Sequence, residues 1–425
     1  MEAVKDERIQ LMYDIITDYV DSLASIREAF NNDYALLSRA TLISNVRLTN
    51  FIKGNNINID DYNSIPANKI SELKDLLKRL NRVGRASTIL PHSFLSSLVA
   101  QYDHLIGQLI RFIYRINPKQ LCESESKVSY KDLFTINDID KIRDKIIQDK
   151  VEAIIRKSHE DQICDLEKMI NNVPLSKVDF WSDFVEITQR RNLLVHCKGR
   201  VSAQYIKICK NAGVDNLPKE GDILDVDDKY FNKAFHVLYK MGVMLSQVIT
   251  RKLFEKDEVL PEIDTILNQV IYGVLEEGDY ELAIDLSQFA LAPKTKHQNN
   301  LDKVYFVLNF AQAYKWLGQQ DKCEAELRKF DFSGMCADIM IAKYALEDDI
   351  DNVVLSMKNI GTHSSIMTKE AYMSWLIFKE MRKERRFCQT YEEIFGENIS
   401  AESLTPEESE MVKSVEEYNT EEHAR

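Results

Sequence analysis

Ser93-Phe94-Leu95-Ser96-Ser97-Leu98-Val99-Ala100-Gln101-Tyr102-Asp103-His104-Leu105-Ile106-Gly107-Gln108-Leu109-Ile110-Arg111-Phe112-Ile113 decides the fold class. Phe94, Leu95, Leu98, Tyr102, Leu105, Ile106, Leu109, Ile110, Phe112 and Ile113 recur at steps of three and four, so they share one broad face of a helix. That helix is expected to end near Pro118. Upstream, Ile9, Met12, Ile15, Ile16, Tyr19, Leu23 and Ile26 repeat the period from Asp6 to about Phe30. A second run covers Tyr34 to Ile52, and a third Ala67 to Leu80, with Gly84 to Pro91 expected as a boundary.

Downstream of the polar stretch Glu123-Ser124-Glu125-Ser126, three helical pieces are expected over roughly 128–172, with Ser129 and Thr135 or Asn137 as N-caps. Pro174 precedes a helix from near Asp179 to His196 or Cys197, and Gly199 is placed to stop it. A last long helix from about Asp227 to Lys256 closes this part, and Pro261 opens another region.

Composition agrees with helices throughout. Only 13 Gly and 8 Pro punctuate 425 residues, and the 44% apolar and 29% charged fractions are those of a globular protein. A net charge of −13 repels nucleic acid at long range, which excludes a general nucleic-acid coat and leaves room for a local basic site. The seven cysteines form no CxxC pair and are odd in number, so neither a zinc knuckle nor a disulfide framework is indicated. The charged start Met1-Glu2-Ala3-Val4-Lys5-Asp6 lacks the apolar run of a signal peptide, and no stretch reaches the ~20 apolar residues of a membrane span. A cytoplasmic protein without membrane contact is expected.

From about 262 to 395 the pattern is one of helix pairs. Leu275-Glu276-Glu277-Gly278-Asp279-Tyr280-Glu281-Leu282-Ala283, Trp316-Leu317-Gly318-Gln319-Gln320-Asp321-Lys322-Cys323 and Leu346-Glu347-Asp348-Asp349-Ile350-Asp351-Asn352-Val353 each read as an apolar helix end, a tight turn and a new apolar helix. With Ala313-Tyr314-Lys315-Trp316-Leu317-Gly318, these turns resemble those of tetratricopeptide repeats, which implies a helical array with a surface for a protein partner. The tail after Ala401 is acidic.

Chemistry concentrates in Gln189-Arg190-Arg191-Asn192-Leu193-Leu194-Val195-His196-Cys197-Lys198-Gly199-Arg200-Val201. Asn192 and His196 are four residues apart and share a helix face, whereas Arg191 is turned about 140° from His196. Leu193, Leu194 and Val195 are expected to anchor the helix in the core. His196 lies near the helix C-terminus, where the macrodipole favours imidazolium, and a histidine suits proton transfer. Arg191 offers a fork that matches two phosphate oxygens.

An Arg, a polar residue directly after it and a His a turn and a half later resemble the signature of the HEPN superfamily. The resemblance covers about Leu90 to Phe254. It implies an all-α, antiparallel helical bundle and metal-independent RNA cleavage, with Arg191, Asn192 and His196 as catalytic residues. The ribose 2′-hydroxyl would attack the neighbouring phosphorus, giving a 2′,3′-cyclic phosphate and sparing DNA. One His cannot serve both sides of the phosphorus, and the resemblance implies a homodimer that pools two motifs. Arg190, Lys198, Arg200, Lys207 and Lys210 flank the motif as RNA-backbone contacts. Family analogy extends to microbial toxin, stress and antiviral roles. The rival expectation is a non-catalytic scaffold for protein or RNA.

The regions expected are therefore N-terminal helices over 1–88, a HEPN-like bundle over 89–258, a repeat-like array over 259–398 and an acidic tail over 399–425. No P-loop, GxGxxG, HExxH or GxSxG motif occurs, so no cofactor or metal is expected. Ser158-His159-Glu160-Asp161 reads as a helix start with Ser158 as cap, and Asp222-Ile223-Leu224-Asp225-Val226-Asp227-Asp228 as a loop ending in N-cap acids.

Overall fold

Two very long helices open the chain, α1 (Glu7–Gly54) and α2 (Ile70–Ile116). Asp6 caps the first, its carboxylate accepting from the backbone N–H of Arg8 at 2.8 Å. The sequence predicts breaks after Phe30 and between Gly84 and Pro91, and the helices run through both. Asn31-Asn32-Asp33 interrupts the apolar period but leaves the backbone hydrogen bonds intact. Pro91 forfeits one of them, and the burial of Leu95, Leu98, Val99 and Tyr102 just beyond it carries the helix through that loss.

This computed structural model describes residues 6–58, 65–122, 138–298 and 300–399. The expected caps Ser129, Thr135 and Asn137 and the acidic tail lie outside them. The chain is all-α: among the described residues there is no strand, only an isolated antiparallel bridge between Arg200 and Ile223. None of these helices is long and apolar enough to cross a membrane. Two compact units divide between Val259 and Leu260. The boundary expected at 258 falls beside that division, and the one expected at 88 lies inside α2.

In the first unit, α3 (Lys119–Cys122), α4 (Ile139–Ile155), α5 (His159–Met169), α6 (Trp181–Cys197), α7 (Ala203–Asn211) and α8 (Asp228–Leu253) follow. Helix α8 is the axis of the bundle, with buried residues around most of its circumference, from Phe231 and Phe235 to Leu245 and Ile249. It packs on α1, α2 and α6, while α4 and α5 lean on α2. Phe30 stacks on Phe231 with centroids 3.7 Å apart, and Phe94 meets Phe30 edge-on at 5.6 Å. Tyr19 crosses α8 where Gly242 leaves room, and its hydroxyl donates to the Leu238 carbonyl at 2.7 Å. Ser158 caps α5 and Asp227 caps α8, as the sequence predicts.

The second unit consists of consecutive helix pairs: α9 (Leu260–Glu276) with α10 (Tyr280–Ala290), α11 (Asn300–Trp316) with α12 (Gln320–Arg328), and α13 (Ala337–Leu346) with α14 (Ile350–Ile360). All three tight turns follow one pattern. Gly278, Gly318 and Asp348 take left-handed conformations with φ of 79°, 71° and 57°. The next N–H closes onto a carbonyl five residues back each time: Asp279 to Val274, Gln319 to Tyr314, Asp349 to Tyr344. Asp348 pays for its unfavourable φ with an ion pair, since the buried Lys315 Nζ reaches it at 2.6 Å and also donates to the Ala345 and Leu346 carbonyls. Beyond α15 (Lys369–Ser374), short 3₁₀ turns lead to α16 (Arg385–Phe395).

A Cβ on Gly242 would lie 2.1 Å from the Tyr19 ring. Gly242→Ala is therefore expected to destabilise the first unit by about 2–3 kcal/mol, read as a lower urea midpoint at unchanged slope. Each unit also holds a buried thiol, Cys209 and Cys323, which burial pushes up to about 12. Thiolate is the reactive form, so at pH 8 a maleimide should label exposed Cys164, Cys197 and Cys336 while Cys209 and Cys323 stay unmodified until urea unfolds the chain. Equal labelling in the native state would contradict this packing.

Candidate functional site

Helix α6 carries the Arg–Asn–His motif, and its burial pattern sets where each side chain goes. Phe184, Val185, Ile187, Thr188, Leu193 and Leu194 face the bundle. Glu186 is buried with them at 8% exposure, which demands partners for its charge. It has three. Arg190 Nε donates to Oε1 at 2.8 Å, the Tyr205 hydroxyl to Oε1 at 2.7 Å and the Tyr230 hydroxyl to Oε2 at 2.7 Å. Burial first, and the Glu186 charge second, push both phenols up, so they remain protonated donors. Arg190 also lies 3.8 Å over the Tyr230 ring and donates to the Asp225 carbonyl at 3.0 Å.

Arg191 turns the other way. Its Nη2 donates to Asp103 Oδ2 at 3.1 Å, and His159 Nε2 donates to the same carboxylate through Oδ1 at 2.9 Å. Asp103 stands on α2 and His159 opens α5, so one carboxylate ties three helices. The His159 imidazole is buried, with Phe184 edge-on at 6.2 Å. The Arg191 Nε is itself buried and has no hydrogen-bond partner.

The helix ends in a left-handed turn. Lys198 has φ 52° and Gly199 φ 76°, with the Gly199 N–H bonded to the Leu193 carbonyl at 3.0 Å. A Cβ at Gly199 would meet the Leu224 carbonyl oxygen at 2.4 Å, because the Leu224 N–H pairs with the Gly199 carbonyl at 2.9 Å. This pairing lays residues 199–201 against 221–224, beside the free end of α6. Val195, His196, Cys197 and Lys198 are exposed there.

The predicted site residues thus separate. His196 is an accessible imidazole with no hydrogen bond to Arg191 or Asn192, and Asn192 is half-buried. Arg191 is engaged by Asp103. Arg190 is bound in place by Glu186, Tyr230 and the Asp225 carbonyl. Lys198, Lys207 and Lys210 are exposed, as is Arg200, which donates to the Gly221 carbonyl at 3.1 Å. Val195, expected in the core, is 53% exposed, because the face it shares with no bundle helix opens at the end of α6. Sequence reading missed Asp103, His159, Glu186, Tyr205 and Tyr230. The Glu186–Arg190 spacing of four was a usable signal, as was a lone Asp103 inside an otherwise apolar helix run.

Beside Glu186 lies a cleft of about 330 Å³ whose cations are both engaged, Arg190 by Glu186 and Lys233 by Asp183 at 2.7 Å, with Asp215 as a further exposed acid on its lining. The accessible chemistry is therefore the exposed end of α6. No family model, curated protein or solved structure matches the chain.

Glu186→Ala strands two phenols and a guanidinium and is expected to cost about 3 kcal/mol or more. Tyr230→Phe removes one hydrogen bond of the three and should cost about 1 kcal/mol. Urea unfolding of the two variants checks the ratio, and equal effects would show that Glu186 is not the organising group.

Proposed function

We propose that the chain is a metal-independent endoribonuclease of HEPN type that works as a homodimer. The observation that carries this reading is the exposed His196, beside an exposed Val195, at the free end of α6. Following it in the chain, the exposed Lys198, Arg200, Lys207 and Lys210 offer cations to an RNA backbone. Val195 and Ile223, 53% and 60% exposed, are large apolar side chains at this end of the bundle, as a self-associating surface requires. A second copy would bring its own His196 to the phosphate, so that one imidazole takes the 2′-hydroxyl proton and the other protonates the leaving 5′-oxygen. Arg191 contributes charge to the pentacoordinate phosphorane only if RNA competes with Asp103 for its guanidinium. The second unit, with its repeated turns, reads as a tetratricopeptide-like array for a protein partner.

The Asp103–Arg191 pair favours a second reading, in which Arg191 is a structural residue of a non-catalytic scaffold. One experiment separates the two. The purified chain, His196→Ala and Arg191→Ala are incubated with total RNA and with DNA in EDTA, and the product ends are analysed. The ribonuclease reading expects RNA fragments ending in 2′,3′-cyclic phosphate, untouched DNA, and a loss of about 10²-fold or more in His196→Ala. Equal cutting by all three proteins, or cutting that EDTA abolishes, would sink it.

A further inference from the structure

Beyond Phe30 on α1 and before Pro91 on α2 the burial pattern changes. Over residues 31–54 of α1 only Ser44 and Phe51 are buried, and α2 has no buried residue before Pro91. These stretches pair antiparallel: Phe30 meets Phe94, the Thr41 and Ser87 hydroxyls lie 3.3 Å apart, and Lys69 Nζ sits 5.9 Å from the Phe51 ring centre. At 1.5 Å per residue they form a two-helix arm about 30 Å long.

The arm is basic on an acidic chain. Residues 31–58 and 65–90 contain nine Lys or Arg against the three acids Asp33, Glu72 and Asp75, while the whole chain carries −13. The connecting residues add Asp60 and Asp61. Lys74, Lys78, Arg82 and Arg85 stand at i, i+4, i+8 and i+11 on α2, within an arc of about 80° and in steps of about 4–6 Å along the axis. They lie opposite the half-buried Leu73, Leu76, Leu80 and Val83 that face α1. All four are exposed, as is Arg79 on their flank, and none of the five makes an ion pair with a described residue. Like charges at i, i+4 repel, so this ladder weakens its own helix unless a polyanion covers it.

From this ladder we infer that the outer face of α2 on the arm binds the phosphate backbone of RNA. The choice of RNA among polyanions rests on the ribonuclease reading; the cation ladder does not. An anionic membrane would need large apolar side chains on the same face as the cations. Here Leu36, Leu42, Ile43 and Val46 are exposed on α1, the helix without the ladder, and on α2 only Leu77 and Ile89 accompany the cations. The arm is also tied to the motif helix. His92, directly after Pro91, bonds Asp225 Oδ1 at 2.7 Å, and the Asp225 carbonyl accepts from Arg190. RNA lying on the ladder is thereby anchored to an element that shares a loop with the end of α6.

The test uses the full chain carrying His196→Ala, with and without Lys74→Gln, Lys78→Gln, Arg82→Gln and Arg85→Gln together. Glutamine keeps helix propensity, and circular dichroism confirms that the fold is retained. Fluorescence anisotropy with a labelled single-stranded RNA is read from 50 to 200 mM salt. The quadruple variant should bind on the order of 10²-fold more weakly at 50 mM and lose about 3 from the slope of log K against log salt. RNA should also protect arm amides from hydrogen exchange in the protein with an intact ladder. Unchanged affinity and slope, no RNA binding by the intact ladder, or binding to phosphatidylserine vesicles in place of RNA would overturn the inference. If the ladder variant loses RNA while the parent chain and His196→Ala leave RNA equally uncut, the arm stands and the nuclease reading falls. If cutting by the parent chain needs His196 but the ladder variant binds RNA as well as the His196→Ala protein with the intact ladder does, the arm inference alone falls.

Discussion

A buried carboxylate must be surrounded by donors, and Glu186 meets that demand by drawing Arg190, Tyr205 and Tyr230 onto its two oxygens. Those donors come from α6, α7 and α8, so one charge fixes three helices about a common point. The rotation of α6 about its own axis follows. With Arg190 held on one side, Arg191 must leave on the other, where Asp103 receives it. His196, about 140° further round, is left at the open end. The placement of the motif is thus a consequence of two carboxylates deeper in the bundle rather than of the motif residues themselves.

The second unit solves its turns by backbone geometry and not by buried charge. Three successive hairpins use the same left-handed residue followed by the same five-residue closure. Two of them employ glycine, for which that φ costs little. The third employs Asp348, and there the buried Lys315 supplies the compensation. Because Lys315 also caps the carbonyls at the end of α13, the exception binds one helix pair to the next.

Helical class and the position of the hairpins could be read from apolar period and from Gly278 and Gly318, since both are local properties of the chain. The great length of α1 and α2 could not. Asn31-Asn32-Asp33 and Gly84 to Pro91 carry ordinary stop signals, and tertiary packing overrides them: the pairing of the two helices and the burial of Leu95, Leu98, Val99 and Tyr102 beyond Pro91, contacts between residues far apart in sequence. For the same reason the motif was visible while its environment was not. Asp103 and Arg191 are 88 residues apart, and nothing in either neighbourhood announces the other. Val195 shows the converse limit, because periodicity tells which residues are apolar but not where a helix outruns its neighbours.

Charge is distributed along the fold with a physical consequence of its own. A uniformly acidic surface would hold any polyanion off, but the cations of residues 31–90 gather on a slender arm, clear of the bundle's acids. At physiological salt the Debye length is about 8 Å, so over a 30 Å arm the bundle's repulsion is screened before it reaches most of the ladder. The local field there is set by Lys74, Lys78, Arg79, Arg82 and Arg85, not by the net charge. The weak burial of the arm makes the same point energetically. Few buried side chains offset the mutual repulsion of those cations, so a ligand that neutralises them relieves the helix pair, and at the root of the arm Asp225 bonds both His92 and Arg190 of α6.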